Sequence, residues 1–172
     1  MNSNNKGNDL RSRWLHERSR ILEKYAVNIP AKTDNIILQL DEPDNGWIDI
    51  HIIVNGEERE LINASDVYEP FEDIRKWLES IVSHIFDFTP FAVNIYDESY
   101  NYILYYEPLL YQNDEMLMCP PAKLCGLFYV YDSYKNKIVA DAYCETKAFV
   151  RTFYETIVSY AKKAKENERG VS

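Results

Sequence analysis

The stretch "WIDIHIIVNGEERELIN", residues 47–63, limits the fold more than any other part of the chain. Ile48, Ile50, Ile52 and Val54 alternate with Trp47, Asp49, His51 and Ile53, the period of a strand with one buried face. Asn55-Gly56 is the pair that best accepts positive φ at both centres of a two-residue hairpin turn. A type I′ turn there sets the pairing: Val54 faces Glu57, His51 faces Glu60 and Ile50 faces Leu61. His51 and Glu60 then form a cross-strand pair on the polar face.

The segments around this hairpin follow from the same rules. "DLRSRWLHERSRILEKY" spaces Leu10, Trp14, Ile21, Leu22 and Tyr25 as a helix, capped by Asn8 or Asp9. "NIILQLD" reads as a short strand. Pro70 opens a second helix, with Phe71, Ile74, Leu78, Ile81, Val82 and Ile85 as its apolar stripe. "FAVNIYD" and "YILYYE" form a hairpin, and "LCGLFYVYDS" and "KIVADAYC" another. A short strand is expected near "EMLMC". A last helix begins after Glu145 or Thr146 and carries Phe149, Val150, Phe153, Ile157, Tyr160, Ala161 and Ala164. The order predicts an α+β fold. It is a single domain with a mostly antiparallel sheet of about six to seven strands built from hairpins. Helices cover one face, with one helix at each end of the chain, and the other face is partly open. Residues 1–8 are expected to be a disordered leader, 9–168 the domain and 169–172 a tail.

Charge narrows the partners. The chain carries 19 Lys+Arg against 28 Asp+Glu, a net −9, but the distribution is uneven. Residues 1–32 sum to +4 and residues 160–172 to +2, which leaves −15 on 33–159. Such a body repels nucleic acid and anionic membranes, so neither is expected as a partner. It attracts a basic protein and speeds the encounter. No apolar run reaches the length of a bilayer span, and "MNSNNKGND" has no apolar leader core. Cys119, Cys125 and Cys144 are an odd set without a disulfide framework, which points to a reducing, cytoplasmic setting.

No local motif names a reaction. The five glycines are scattered, and neither GxGxxG nor GxxxxGK[ST] occurs, so the usual phosphate cradle is excluded. His16, His51 and His84 lie on separate elements with no HxH, HxxxH or HExxH neighbour, and no metal or other cofactor is expected. "CPPAKLC" does not have a zinc-knuckle spacing.

The tyrosines are the strongest surface signal. Five fall between Tyr96 and Tyr106. With Asp97 opposite Tyr102, residues Phe91, Val93, Ile95, Tyr102, Leu104 and Tyr106 face inward. Tyr96, Ile103, Tyr105 and Glu107 then face outward, and Tyr100 projects from the turn. Tyrosine beside carboxylate gives a large contact area with a hydrogen-bonding tip at low rotamer cost. The expected partner-binding residues are therefore Tyr96, Glu98, Tyr100, Tyr105 and Glu107, with His51 and Glu60 if the strands share one open face.

The order strand–strand–[AS]-S-x-V–helix–strand–D-E-x-x-x-Y–strand is carried here by "WIDIHIIVNG", "ASDVYEPFEDIRKWLESI" and "VNIYDESYNYILYYEP". It resembles a group of small bacterial α+β proteins over about residues 36–110. In size and acidity the chain is similar to immunity proteins of bacterial polymorphic-toxin and contact-dependent inhibition systems. That resemblance implies a non-catalytic inhibitor that covers a toxin's active site or a nearby exosite, and it assigns no individual residue. Two other classes stay open. One is a self-associating structural protein, a homodimer burying Trp47, Ile53, Ile103 and Tyr105. The other is an enzyme or small-molecule binder whose site assembles from distant residues, such as His51 or Cys144.

Overall fold

The first hairpin closes where the sequence places it. Asn55 and Gly56 hold φ of 53° and 82°, the turn whose twist matches that of the flanking strands. It joins β2 (Trp47–Val54) to β3 (Glu57–Ser65), and β1 (Ile36–Leu40) pairs with the other side of β2. A second Asn-Gly pair, Asn45 and Gly46, turns the chain between β1 and β2 with φ of 52° and 85°. The computed structural model describes residues 3–27, 30–65, 70–84, 89–98, 100–109 and 124–170. The strand expected near "EMLMC" lies outside them.

Val54 faces Glu57 as the turn requires, but the register then shifts. A bulge opposite Ile52 and Ile53 leaves Arg59 unopposed, so His51 faces Leu61 and Ile50 faces Ile62. The expected His51–Glu60 pair does not form. One extra residue in a strand moves everything beyond it to the opposite face, so Glu58 joins His51 and Glu60 turns away.

Beyond β3, the described residues place α2 (Pro70–Ser83), β4 (Phe91–Tyr96), β5 (Asn101–Leu109), β6 (Cys125–Asp132), β7 (Lys137–Glu145) and α3 (Thr146–Gly170). All strand pairs are antiparallel. They form two sheets, β1-β2-β3 and β4-β5-β6-β7, where one sheet was expected. Turn chemistry specifies which strands join within a hairpin, and nothing local specifies which hairpins join each other. In β4–β5 the inward residues are the expected ones, but the pairs are Ile95–Tyr102, Val93–Leu104 and Phe91–Tyr106, two residues from the expected register. A slip of two keeps every side chain on its face.

One core unites the inner faces of both sheets with α2 and α3. Ile50, Ile52 and Ile62 meet Leu104, Phe128 and Val130 around Ile74, Leu78, Phe149 and Phe153. Two details differ from the expected helix stripes: Trp77 is buried, and Val82 is 60% exposed.

A second core lies on the other side of β4-β5-β6-β7, which overturns the expected single helical cover. Helix α1 (Ser3–Val27) crosses this outer face, and Ile21 and Tyr25 are buried there with Leu127, Tyr129, Tyr131 and Tyr143. All eight residues of β6 are consequently buried. The helix begins at Ser3, upstream of the Asn8/Asp9 cap, and Leu10 is 50% exposed. Arg18 grips Glu107 with Nε at 3.1 Å and with Nη2, and Tyr129 donates its hydroxyl to the same carboxylate at 3.2 Å. Lys24 and Tyr25 both donate to Asp141 at 2.6 Å. Glu17 accepts the Ile138 N–H at 3.0 Å on the free edge of β7.

Two substitutions test this packing. Arg18→Met leaves Glu107 buried with Tyr129 as its remaining donor, and should cost about 2 kcal/mol in urea unfolding, the low end for a partly exposed partner. Adding Glu107→Gln should recover part of that loss; full stability in the single variant would refute the role of the pair. Gly126→Ala would place a Cβ 2.5 Å from the Tyr106 hydroxyl and 2.7 Å from the Glu107 carbonyl oxygen. Tyr106 cannot yield easily, because its hydroxyl is bonded to Thr146 at 2.5 Å. This variant should lose about 3 kcal/mol by the same measurement.

Candidate interaction face

The outer face of β1-β2-β3 is built by the alternation of β2. Ile48, Ile50, Ile52 and Val54 enter the core, while Trp47, Asp49, His51 and Ile53 point outward and are half-buried. Cross-strand register adds Ile37 and Gln39 from β1, and Glu58, Leu61 and Asn63 from β3. Ile37 is 40% exposed and Leu61 42%, high values for large apolar side chains on a sheet. The surface is therefore mixed, with four apolar side chains among polar ones.

His51 occupies the middle of it. Its Nδ1 lies 2.6 Å from the Glu58 carboxylate and its Nε2 3.0 Å from Asp41. Each ring nitrogen faces an acceptor, so the doubly protonated imidazolium is the form the site favours. The bond to Asp41, then that to Glu58, raises the histidine pKa above its ordinary value, and the bond to His51 lowers that of Asp41. Alongside, Asn63 donates to Asp49 at 2.6 Å. Asp41, Asp49 and Glu58 leave the face acidic even with His51 charged.

The seven residues expected to bind a partner are not brought together. His51 alone lies on this face. Glu60 points to the opposite side, toward Asp132, Lys135 and Lys137, and burial raises its pKa. Tyr96 is 43% exposed on β4, and Glu98 is exposed in the β4–β5 turn, its N–H donated to Asp97 at 2.6 Å. Tyr100 packs on Tyr134 at 5.2 Å and Tyr102 at 6.1 Å, and its bond to Asp97 raises its pKa. Tyr105 and Glu107 do face outward, but under α1. Tyr105 is sandwiched between Trp14 at 5.4 Å and Tyr129 at 5.0 Å, and burial pushes its phenol up to about 12. Glu107 is 5% exposed.

Leu61 and Glu58 were missed for one reason. The bulge at Arg59 decides what shares a face with His51, and no local signal announces it. Trp47 and Ile53, on the outward register of β2, were legible.

The groups considered for an assembled reactive site stand apart. Cys144 is buried in the core, its thiol pushed upward by burial and donating to the Gly126 carbonyl at 3.7 Å. His51 lies on the surface of the other sheet. Among the described residues no group of three His, Cys, Asp or Glu side chains is placed to hold a metal ion. No described helix is long and apolar enough to cross a membrane.

Fold and face together define an α+β protein with three described helices and two antiparallel sheets, one of which presents an acidic, partly apolar outer face. Comparison with protein-family models, with curated proteins and with solved structures finds no match.

The histidine gives this face a pH signature. A raised folded pKa means that the folded chain binds the proton more tightly than the unfolded chain. The stabilisation is complete below the ordinary value of about 6.5 and is lost as pH rises through the folded value. The urea midpoint should therefore fall between about pH 6 and about pH 8, and His51→Gln should flatten that decline. An NMR titration placing the His51 midpoint below about 6.5 would contradict the geometry.

Proposed function

We propose that this chain is a non-catalytic protein-binding module that engages a basic protein surface through the outer face of β1-β2-β3, as an immunity-type inhibitor of a basic toxin domain would. The observation that carries the reading is the face itself: Ile37, Trp47, Ile53 and Leu61 stand around a histidine held between two carboxylates. Apolar side chains supply affinity once water is excluded, and the surrounding acid steers and selects a basic partner. The −15 on residues 33–159 extends the same attraction over the body. The reading places the chain in the cytoplasm, where Cys125 and Cys144 stay reduced. Tyr96, Glu98 and Tyr100 belong to the other sheet and are not needed for it.

Self-association is the second reading, favoured by the exposure of Ile37 and Leu61. It is weakened in two ways. Ile103 and Tyr105, half of the apolar set expected to drive it, pack in the cluster beneath α1. Two copies meeting face to face would also bring Asp41, Asp49 and Glu58 against their own counterparts.

The test is capture by the tagged chain in lysate of the source organism, at low and high salt, beside an Ile37→Arg/Leu61→Arg variant of unchanged circular dichroism. The expected result is one basic protein retained in stoichiometric amount, released by salt, and bound at least roughly tenfold more weakly by the variant. A partner held equally by the variant would remove this face from the reading. A clean dimer mass with no partner would favour self-association.

A further inference from the structure

A groove of about 660 Å³ runs between β1 and α3, with Ile37, Leu40 and Pro43 on one wall and Tyr160 and Ala164 on the other. Its floor is the edge of a sheet. Asn55 N–H donates to the Asn35 carbonyl at 2.8 Å and Asp41 N–H to the Asp49 carbonyl at 3.1 Å, so the odd positions of β1 bond to β2. In an antiparallel pair the alternate positions then turn their N–H and C=O groups to the free side. Leu38 is one of these, and its carbonyl accepts the Thr156 hydroxyl at 3.2 Å, so α3 caps the edge there. Leu40 is the next, and it opens into the groove.

The rim is acidic. Among the described lining residues, Asp41, Glu42 and Glu155 face a single cation, Lys163. Ile37 and Asp41 belong both to the groove and to the outer sheet face, so the two surfaces are continuous.

We propose that this groove seats a short extended segment of the partner, in which apolar side chains alternate with lysine or arginine, pairing its main chain with Leu40. The proposal rests on the protein-binding reading above and specifies how the partner is recognised. An open strand edge supplies main-chain hydrogen bonds in a fixed direction, and alternate side chains fall into the groove or out toward the rim. The apolar walls take the inward set. Asp41, Glu42 and Glu155 select cationic flanks and reject acidic ones.

The full chain is titrated against a fluorescein-labelled peptide alternating lysine with valine, and against its glutamate counterpart, by fluorescence anisotropy. Ala164→Trp fills the groove from an exposed helix position, and Glu155→Lys inverts part of the rim. Val82→Ser, at an exposed position of α2 outside both surfaces, is the control. The lysine peptide should bind, the glutamate peptide should not, and both groove variants should weaken binding at least roughly tenfold while Val82→Ser leaves it unchanged. Backbone amide shifts should change at Leu40 and Ser159. Absence of binding by the lysine peptide, or equal binding by Ala164→Trp, would overturn the proposal. Loss of the lysate partner in a Leu61→Arg variant, with partner and peptide both retained by Ala164→Trp, would sink the groove alone and leave the face reading standing.

Discussion

Glu107 under Arg18 is the contact on which the architecture turns. A carboxylate on a sheet face lined by Tyr105, Tyr129 and Leu127 is untenable without a cation and a donor. Helix α1 supplies the cation and Tyr129 the donor. The same helix closes the aromatic face that would otherwise meet water, so burial of the tyrosines and neutralisation of the acid are one event. The rest of the sheet follows from this cover: β6 can be apolar on both faces, and Gly126 can sit hard against Tyr106, because neither side of the strand needs to be wet.

Sheet edges are handled by the same economy of means. The free side of β7 is occupied at two points: Glu17 takes the Ile138 N–H, and Asp34 takes the Tyr143 N–H at 2.8 Å while returning its own to the Tyr143 carbonyl at 2.6 Å. Helix α2 lies against β4, and α3 against β1. Long unprotected edges invite pairing with other chains. Here short polar caps and helices blunt them, and the stretch of β1 beyond Thr156 stands out against that pattern.

Much of this was legible in the sequence where the signal was local. Asn55-Gly56 and the alternation of β2 placed the first hairpin, and Pro70 marked the start of α2. The inward and outward residues of β4 and β5 were separated correctly even though their register slipped by two. What failed needed information from a distance. The bulge at Arg59 comes from how β3 must meet the core at Ile62 and Ala64, so the partner of His51 could not be read from a turn type. The cover over Tyr105 and Glu107 required knowing that Arg18 on α1 meets a residue 89 positions further along the chain. A signal for it existed: "CGLFYVYD" is apolar at nearly every position, the mark of a strand buried on both sides rather than one.

The contrast between the two outer faces follows from their polar groups. On the second sheet, the carboxylate of Glu107 depends on a residue from another element, so that face is complete only with its helix in place. On the first, the polar side chains satisfy one another within the sheet: His51 with Glu58 and Asp41, Asn63 with Asp49. A face of that kind is stable in water without a cover. It can also be buried by a partner at lower cost, because the groups that lose water already hold their hydrogen bonds and need little reordering. Ile37, Trp47, Ile53 and Leu61 then contribute apolar contact without a desolvation penalty from orphaned neighbours. Internal pairing of the polar groups is therefore what reconciles an exposed, partly apolar sheet with a stable fold.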